Sequence, residues 1–305
     1  MASDTVLVTD PPVRARRALS PGHRLWRLLS GERQFQVGVV LLVLLVGVTL
    51  IYPHLTTLSA IKLSIRERFM PPVFLAGGHW AHPLGTDQLG RDMFLRSLVG
   101  LQNALMIGVT AVVIMFLVGA AIGLVSGYYG GWVDTVLMRI TDAQLAVPLI
   151  ILAITILTVQ RPTPESVTLV LALSGWPAYA RVTRSVTLSE RRREYVRGAK
   201  ILGASDLRVM LQLIAPNILP PIAFVAVLDI ARMMIFEAIL GFIGIGVQPP
   251  TPTFGNIIAD GQKYLINAWW IATMPGIFLF LSLLSINLIG TSVEQARNRV
   301  LEGTA

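Results

Sequence analysis

Between two apolar runs near the middle of the chain lies an arginine-rich island, ERRREYVRGAKILGASDLRVMLQLIAP, from Glu190 to Pro216. A chain that is otherwise apolar leaves such an island only in water, and Lys and Arg accumulate beside membrane spans on the cytoplasmic side. The composition demands a lipid medium for the rest. Of 305 residues, 54% are hydrophobic and 14% charged, with a mean hydropathy of +0.67, whereas soluble domains carry roughly 25% charged residues. Inside the island, Gly203 separates a short helical stretch from a second one, DLRVMLQLIAP, which Pro216 is expected to close. The result is a helix–turn–helix exposed at the membrane face, a shape that a partner can grip.

A spanning helix takes about 20 mainly apolar residues. Six runs qualify: Val37–Leu55, Asn103–Ser126, Ile140–Val159, Val167–Ala180 with an extension toward Val186, part of Asn217–Val247, and Trp269–Gly290. The expected fold class is an all-α membrane protein with six transmembrane helices. The first run does not read as a signal peptide, because a long arginine-bearing segment precedes it and no small-residue cleavage site follows Ile51–Tyr52–Pro53. Arginines at 14, 16, 17, 24, 27 and 33 hold the N-terminus inside, and alternation then places Thr56–Gly100 outside and the island in the cytoplasm. The expected organisation is a cytoplasmic tail with an interfacial helix around Trp26 (1–35), a first span (36–57), an extracytoplasmic loop (58–100), a five-helix core (101–292) with the island at 187–216, and a cytoplasmic C-terminal tail (293–305). The formal charge of +8 raises nucleic acid as a partner, but the basic residues cluster beside spans, where they set topology and attract anionic lipid; no nucleic acid is expected.

Several smaller features bear on function. Gly119, Gly123, Gly127 and Gly131 recur every fourth residue, a stripe that lets another helix approach closely, and a crossing inside the subunit is expected because the series leaves the membrane. Asp229, Arg232 and Glu237 sit inside the fifth apolar run, and Asn287 inside the sixth. Charges at membrane depth are costly and face a cavity or a partner. Asp229 and Arg232, three apart on a helix, share a face, so two readings stay open: groups lining a translocation path, or an internal ion pair that holds helices together. His79 and His82 form HWAH in the outer loop, and a pair without a third ligand reads as a solvated loop; no metal site is expected. With no cysteine, disulfides and thiolate chemistry are excluded. A P-loop needs Gly-Lys-[Ser/Thr], and the three lysines, Lys62, Lys200 and Lys263, follow Ile61, Ala199 and Gln262. The chain is expected to be no enzyme and to bind no cofactor.

The island resembles the EAA loop of ABC-importer permeases, which docks on an ATPase subunit. Arg197, Gly198 and Ala199 stand at the Glu-Ala-Ala positions, followed by Lys200, then Gly203, Ala204 and Ser205, with Leu213 and Pro216 in register at the end; Arg197 replaces the family's usual acid. HPLGTDQLGRDMFLRSL (82–98), SGYYGGWVDTVLMRITDAQLAVP (126–148) and GFIGIGVQPPTPTFGNIIADGQKYLINAWW (241–270) are similar to segments of the oligopeptide, dipeptide and nickel branch of that family, whose second membrane subunit the chain resembles. The resemblance implies a type I permease fold and a bacterial inner-membrane location with both termini cytoplasmic. It also implies a second homologous permease in a heterodimer, two ATPase subunits that carry ATP and Mg, and an extracytoplasmic substrate-binding protein. Short peptides are the expected cargo; nickel or another small solute is the alternative. A secondary transporter is a distant rival, because matching inverted halves are absent from the sequence. A membrane-bound enzyme would need clustered acid–base or metal ligands, which the sequence does not offer.

Overall fold

A computed structural model describes residues 27–159 and 161–301. The expected N-terminal tail, up to Trp26, lies outside the described residues. Helices account for the regular structure, with no strand among the described residues beyond an isolated bridge between Thr86 and Asp92. The helices are α1 (Arg33–Leu55), α2 (Met93–Tyr129), α3 (Gly131–Leu145), α4 (Leu149–Leu157), α5 (Pro164–Arg191), α6 (Glu194–Ile201), α7 (Ala215–Phe242), α8 (Phe254–Gln262) and α9 (Trp270–Leu301).

The axis of the molecule is α2, 37 residues long and so about 55 Å from end to end. Its start is set by Asp92, whose carboxylate accepts the Leu95 amide at 2.7 Å, and its end by Gly130 at φ +69°. The helix begins at Met93, inside the 58–100 segment expected as an extracytoplasmic loop, and most of its residues through Gly100 are already buried. The glycine stripe makes the closest crossing. A Cβ at Gly119, Gly123 or Gly127 would collide with α5 around Tyr179, Ala180, Thr183 and Thr187, whereas Gly131, at the start of α3, meets nothing. The stripe therefore serves a contact inside the subunit, and α2 with α5 forms the most extensive helix pair. α1 lies on α9, and α8 is wedged between α7 and α9.

Three helices, α1, α2 and α9, are long and apolar enough to cross a membrane. α5 and α7 are each 28 residues long; α5 ends in a run with Arg181, Arg184, Glu190 and Arg191, and α7 carries Asp229, Arg232 and Glu237. The expected third span differs in kind. Its run is broken at Ala146–Pro148 into α3 and α4, bent by 82°. Pro148 cannot continue α3, because it lacks an amide hydrogen and biases the residue before it away from helix. α4 alone has nine residues, about 13 Å against a hydrocarbon core of about 30 Å.

Candidate functional site: an inner arginine segment and a charged cavity

The island is built as a rigid corner. Arg184, near the end of α5, grips Asp134 of α3 through two parallel bonds of 2.5 and 2.6 Å, and Ser126 of α2 donates to the same carboxylate. Arg181 reaches Asp142 at 2.6 Å. Beyond α5 the chain turns into α6, whose end is a Schellman motif: Gly203 at φ +83°, its amide bonded to the Lys200 carbonyl and the Ala204 amide to the Ala199 carbonyl, both at 3.0 Å. Only glycine takes that conformation without strain, and its surroundings are open. After Ser205, a single turn (Asp206–Arg208) leads into a π-helical stretch, Val209–Ile214, and then directly into α7. Pro216 therefore does not close the second helix as expected. A proline ring clashes with the carbonyl four residues earlier in a regular α-helix, and the wider π turn ahead of Pro216 lets the chain pass through it.

Side chains clamp this corner to the rest. Tyr128, at the end of α2 expected to face the cytoplasm, donates to Asp206 at 2.6 Å, and Lys200 lies 3.4 Å from the same carboxylate and 4.8 Å above the Tyr128 ring. The Tyr128 hydroxyl, more than any other neighbour, holds the Asp206 carboxyl below its ordinary range and the Lys200 ammonium above its own. Tyr195 donates to Glu190 at 2.5 Å and accepts from Asn217 at 2.9 Å, which ties α5, α6 and α7 at one point. Val196, Val209, Met210 and Ile214 are buried in the main apolar core. Gly198, Ala199, Ala204 and Leu213 are half-buried, whereas Arg197, Lys200, Gly203, Ser205 and Pro216 are exposed. Tyr128, Asp206, Tyr195 and Asn217 were not singled out in the sequence. The tyrosine pair closing the second apolar run was the available signal.

The four polar residues noted within spans do not form one group. Asp229 and Arg232 line a cavity of about 230 Å³ enclosed by α2, α5, α7 and the α3–α4 elbow from Gln144 to Leu149. Their carboxylate and guanidinium stand 3.6 Å apart, with the Asp229 side chain 10% exposed and that of Arg232 63%. Arg232 also covers the Phe236 ring at 5.7 Å. Glu237 is fully buried elsewhere, beside Thr253, the cap of α8. Asn287 is exposed on α9, and neither residue lines the cavity. An arginine this exposed on a helix at span depth does not suit lipid; it faces water or a protein neighbour.

At the opposite end of α2, the outer segments that the sequence showed separately come together. Asp87 accepts from the Leu89 and Arg91 amides and from Arg91 Nε at 2.6 Å, and Arg96 lies 3.6 Å away; Arg91 also reaches Asp260 of α8 at 3.7 Å. Trp270 donates its indole N–H to the Thr86 carbonyl at 3.0 Å. The HWAH pair divides. His79 is exposed, but His82 is 4% exposed, with Nδ1 2.9 Å from Asp92 and Nε2 3.7 Å from Glu67. The expectation of a solvated pair fails for His82, because the loop folds back and places it on the residue that caps α2. Burial is the main influence on Asp92 and holds its carboxyl above the ordinary range.

Residues 119–299 match the family of binding-protein-dependent transport system inner membrane components. The dipeptide transport system permease protein DppC of Haemophilus influenzae is 31% identical over 294 residues, 96% of this chain and 97% of its own. The di/tripeptide transport system permease protein DppC of Pseudomonas aeruginosa is 33% identical over 286 residues, 94% of each chain. In three dimensions the chain is similar to a chain of the MetNI methionine ABC transporter in an inward-facing conformation, with a TM-score of 0.53 at 16% identity, over 68% of this chain and 96% of that one. That likeness shows the ABC-importer permease fold. A stiff corner at Gly203, a charged cavity between the helices and relatives that align with nearly all of the chain lead to one assignment: this chain belongs to the family of binding-protein-dependent transport system inner membrane components.

Proposed function

We propose that the chain is one of two membrane subunits of an ATP-driven importer that brings short peptides into the cytoplasm. The observation that carries the cargo is that relatives named for dipeptides and for di/tripeptides align with nearly all of this chain, the cavity included. The chemistry of the cavity supports it. A peptide brings an ammonium, a carboxylate and amides, and Asp229 and Arg232 offer one group of each charge in a space whose other polar lining residues are the neutral Gln144 and Ser174.

The partners are a second, homologous permease, two ATPase subunits that bind ATP and Mg and an extracytoplasmic binding protein, all assembled in the bacterial inner membrane with both termini cytoplasmic. The segment from Arg197 to Pro216 docks on an ATPase. Its fixed corner at Gly203, clamped by Tyr128 and Tyr195, transmits ATPase closure into the helices around the cavity, since a two-state rearrangement needs rigid elements that move as bodies. Ala204, Ser205 and Leu213 complete that corner.

The test is peptide uptake by the assembled complex in proteoliposomes. Asp229→Ala and Arg232→Ala should each impair uptake of dipeptide. In the double variant, continued loss with normal assembly supports a role in the path, and recovery identifies a structural pair. Uptake of nickel with no uptake of any peptide by the wild-type complex would replace the peptide reading with a metal one.

A further inference from the structure

The inner segment holds a second cavity, of about 330 Å³, lined by Leu188, Arg191, Arg192, Val196, Arg197 and Lys200. Four of its six lining residues are cations and none is an acid. Of the acids nearby, Glu190 is bound by Arg193 and Tyr195 and Asp206 by Tyr128 and Lys200, while Glu194, in the first turn of α6, is exposed and does not line the cavity. Arg191 leans on the Tyr128 ring at 5.9 Å. Arg192 and Arg197 are exposed and form no ion pair with any described residue. Lys200 is compensated by Asp206, but Arg191, Arg192 and Arg197 form no ion pair with a described residue; three like charges around one space raise the energy of the free subunit, and an anion placed there lowers it.

We propose that this pocket receives an acidic side chain presented by the ATPase subunit, so that the permease supplies the cations of the docking contact. The inference rests on the docking role proposed above and adds the chemistry of the partner. α6, which contributes Val196, Arg197 and Lys200 to the pocket, runs straight into Ile201 and Leu202, 86% and 89% exposed. Arg197 and Ile201 are four apart and share a face. A protein surface with a carboxylate beside an apolar groove covers the cations and the apolar pair at once. An anionic bilayer surface offers phosphates and acyl chains to the same features, and the lipid arms of the test separate the two sources.

The test uses the two permeases assembled in nanodiscs of phosphatidylcholine, with or without phosphatidylglycerol, and measures affinity for the ATPase subunit. R192E/R197E should bind at least about tenfold more weakly in both lipids, because reversed charges repel at close range. R192Q/R197Q should fall between, and wild-type binding should weaken more steeply with added salt than that of the glutamine variant. Unchanged affinity in both charge variants overturns the proposal, and a loss confined to discs with phosphatidylglycerol replaces it with a lipid site. Leu202→Asp separates the two readings. If it abolishes binding while the charge variants bind normally, docking stands and the acidic contact falls; a wild-type chain that binds no ATPase sinks both.

Discussion

Arginines gather around both ends of α2, the one expected outside and the one expected in the cytoplasm, and are used in opposite ways. At the outer end Arg91 and Arg96 are 6% and 3% exposed and are held by Asp87, with Asp260 closing the group from α8. At the inner end Arg192 and Arg197 are exposed and pair with no described residue. A buried guanidinium exists only where carboxylates repay its desolvation, so the outer group is internal structure. An exposed cation keeps its hydration when it is unpaired, so the inner group remains available to a partner. Charge count does not separate the two; burial does.

The comparison first needs its two ends assigned to opposite sides of the membrane, and labelling gives an all-or-none answer. The chain has no cysteine of its own. Ile266, 96% exposed beside α9, should label as Ile266→Cys with an impermeant maleimide in intact cells, whereas Ser189→Cys should be protected until the cells are opened. Labelling of Ser189→Cys from outside would invert the topology. The next effect in size is on the outer group. Asp87→Ala strands buried Arg96 and leaves Arg91 with Asp260 alone, and should destabilise the subunit by about 3–5 kcal/mol, read as a fall in the thermal midpoint in detergent. A change near zero would mean that water reaches those arginines.

The histidines sharpen the same contrast on a smaller scale. His82→Ala removes the partner of buried Asp92 and should cost about 1–3 kcal/mol, while exposed His79→Ala should leave the midpoint unchanged. Equal effects would refute the separation of the two. Smallest in stability is Gly203→Val at the inner corner, a local strain of about 1–2 kcal/mol from the left-handed backbone, spread over a segment outside the membrane core. Its expected signature is a near-normal midpoint with transport uncoupled from ATP hydrolysis. Normal coupling would show that the corner is not the docking element.

Much of this contrast is legible in the residues themselves. The apolar runs, the basic island and the glycine spacing follow from local rules: lipid admits only internally bonded helices, and small residues every fourth position make a stripe whatever lies opposite. The sequence also pointed to a turn at Gly203, since a glycine between two helical stretches is the usual site of a left-handed cap. Pro216 misled, because proline stops a regular helix yet passes through a π-widened one, and local spacing does not reveal which will form. The run from Ile140 to Val159 gave no sign of its bend: Pro148 breaks it, and Asp142 in its first half pairs with Arg181 of α5.

What the sequence determined by itself is therefore the medium, the helical class and the residues that carry charge. What only the tertiary structure decided is which charges are spent and which are free. Asp229 and Arg232 meet at a cavity while Glu237 and Asn287 do not, and His82 is buried while His79 is not, although each set looks alike along the chain. The reason is physical. Desolvation depends on neighbours brought in from distant segments, such as Asp260 against Arg91 or Tyr128 against Asp206, and no local pattern encodes that proximity.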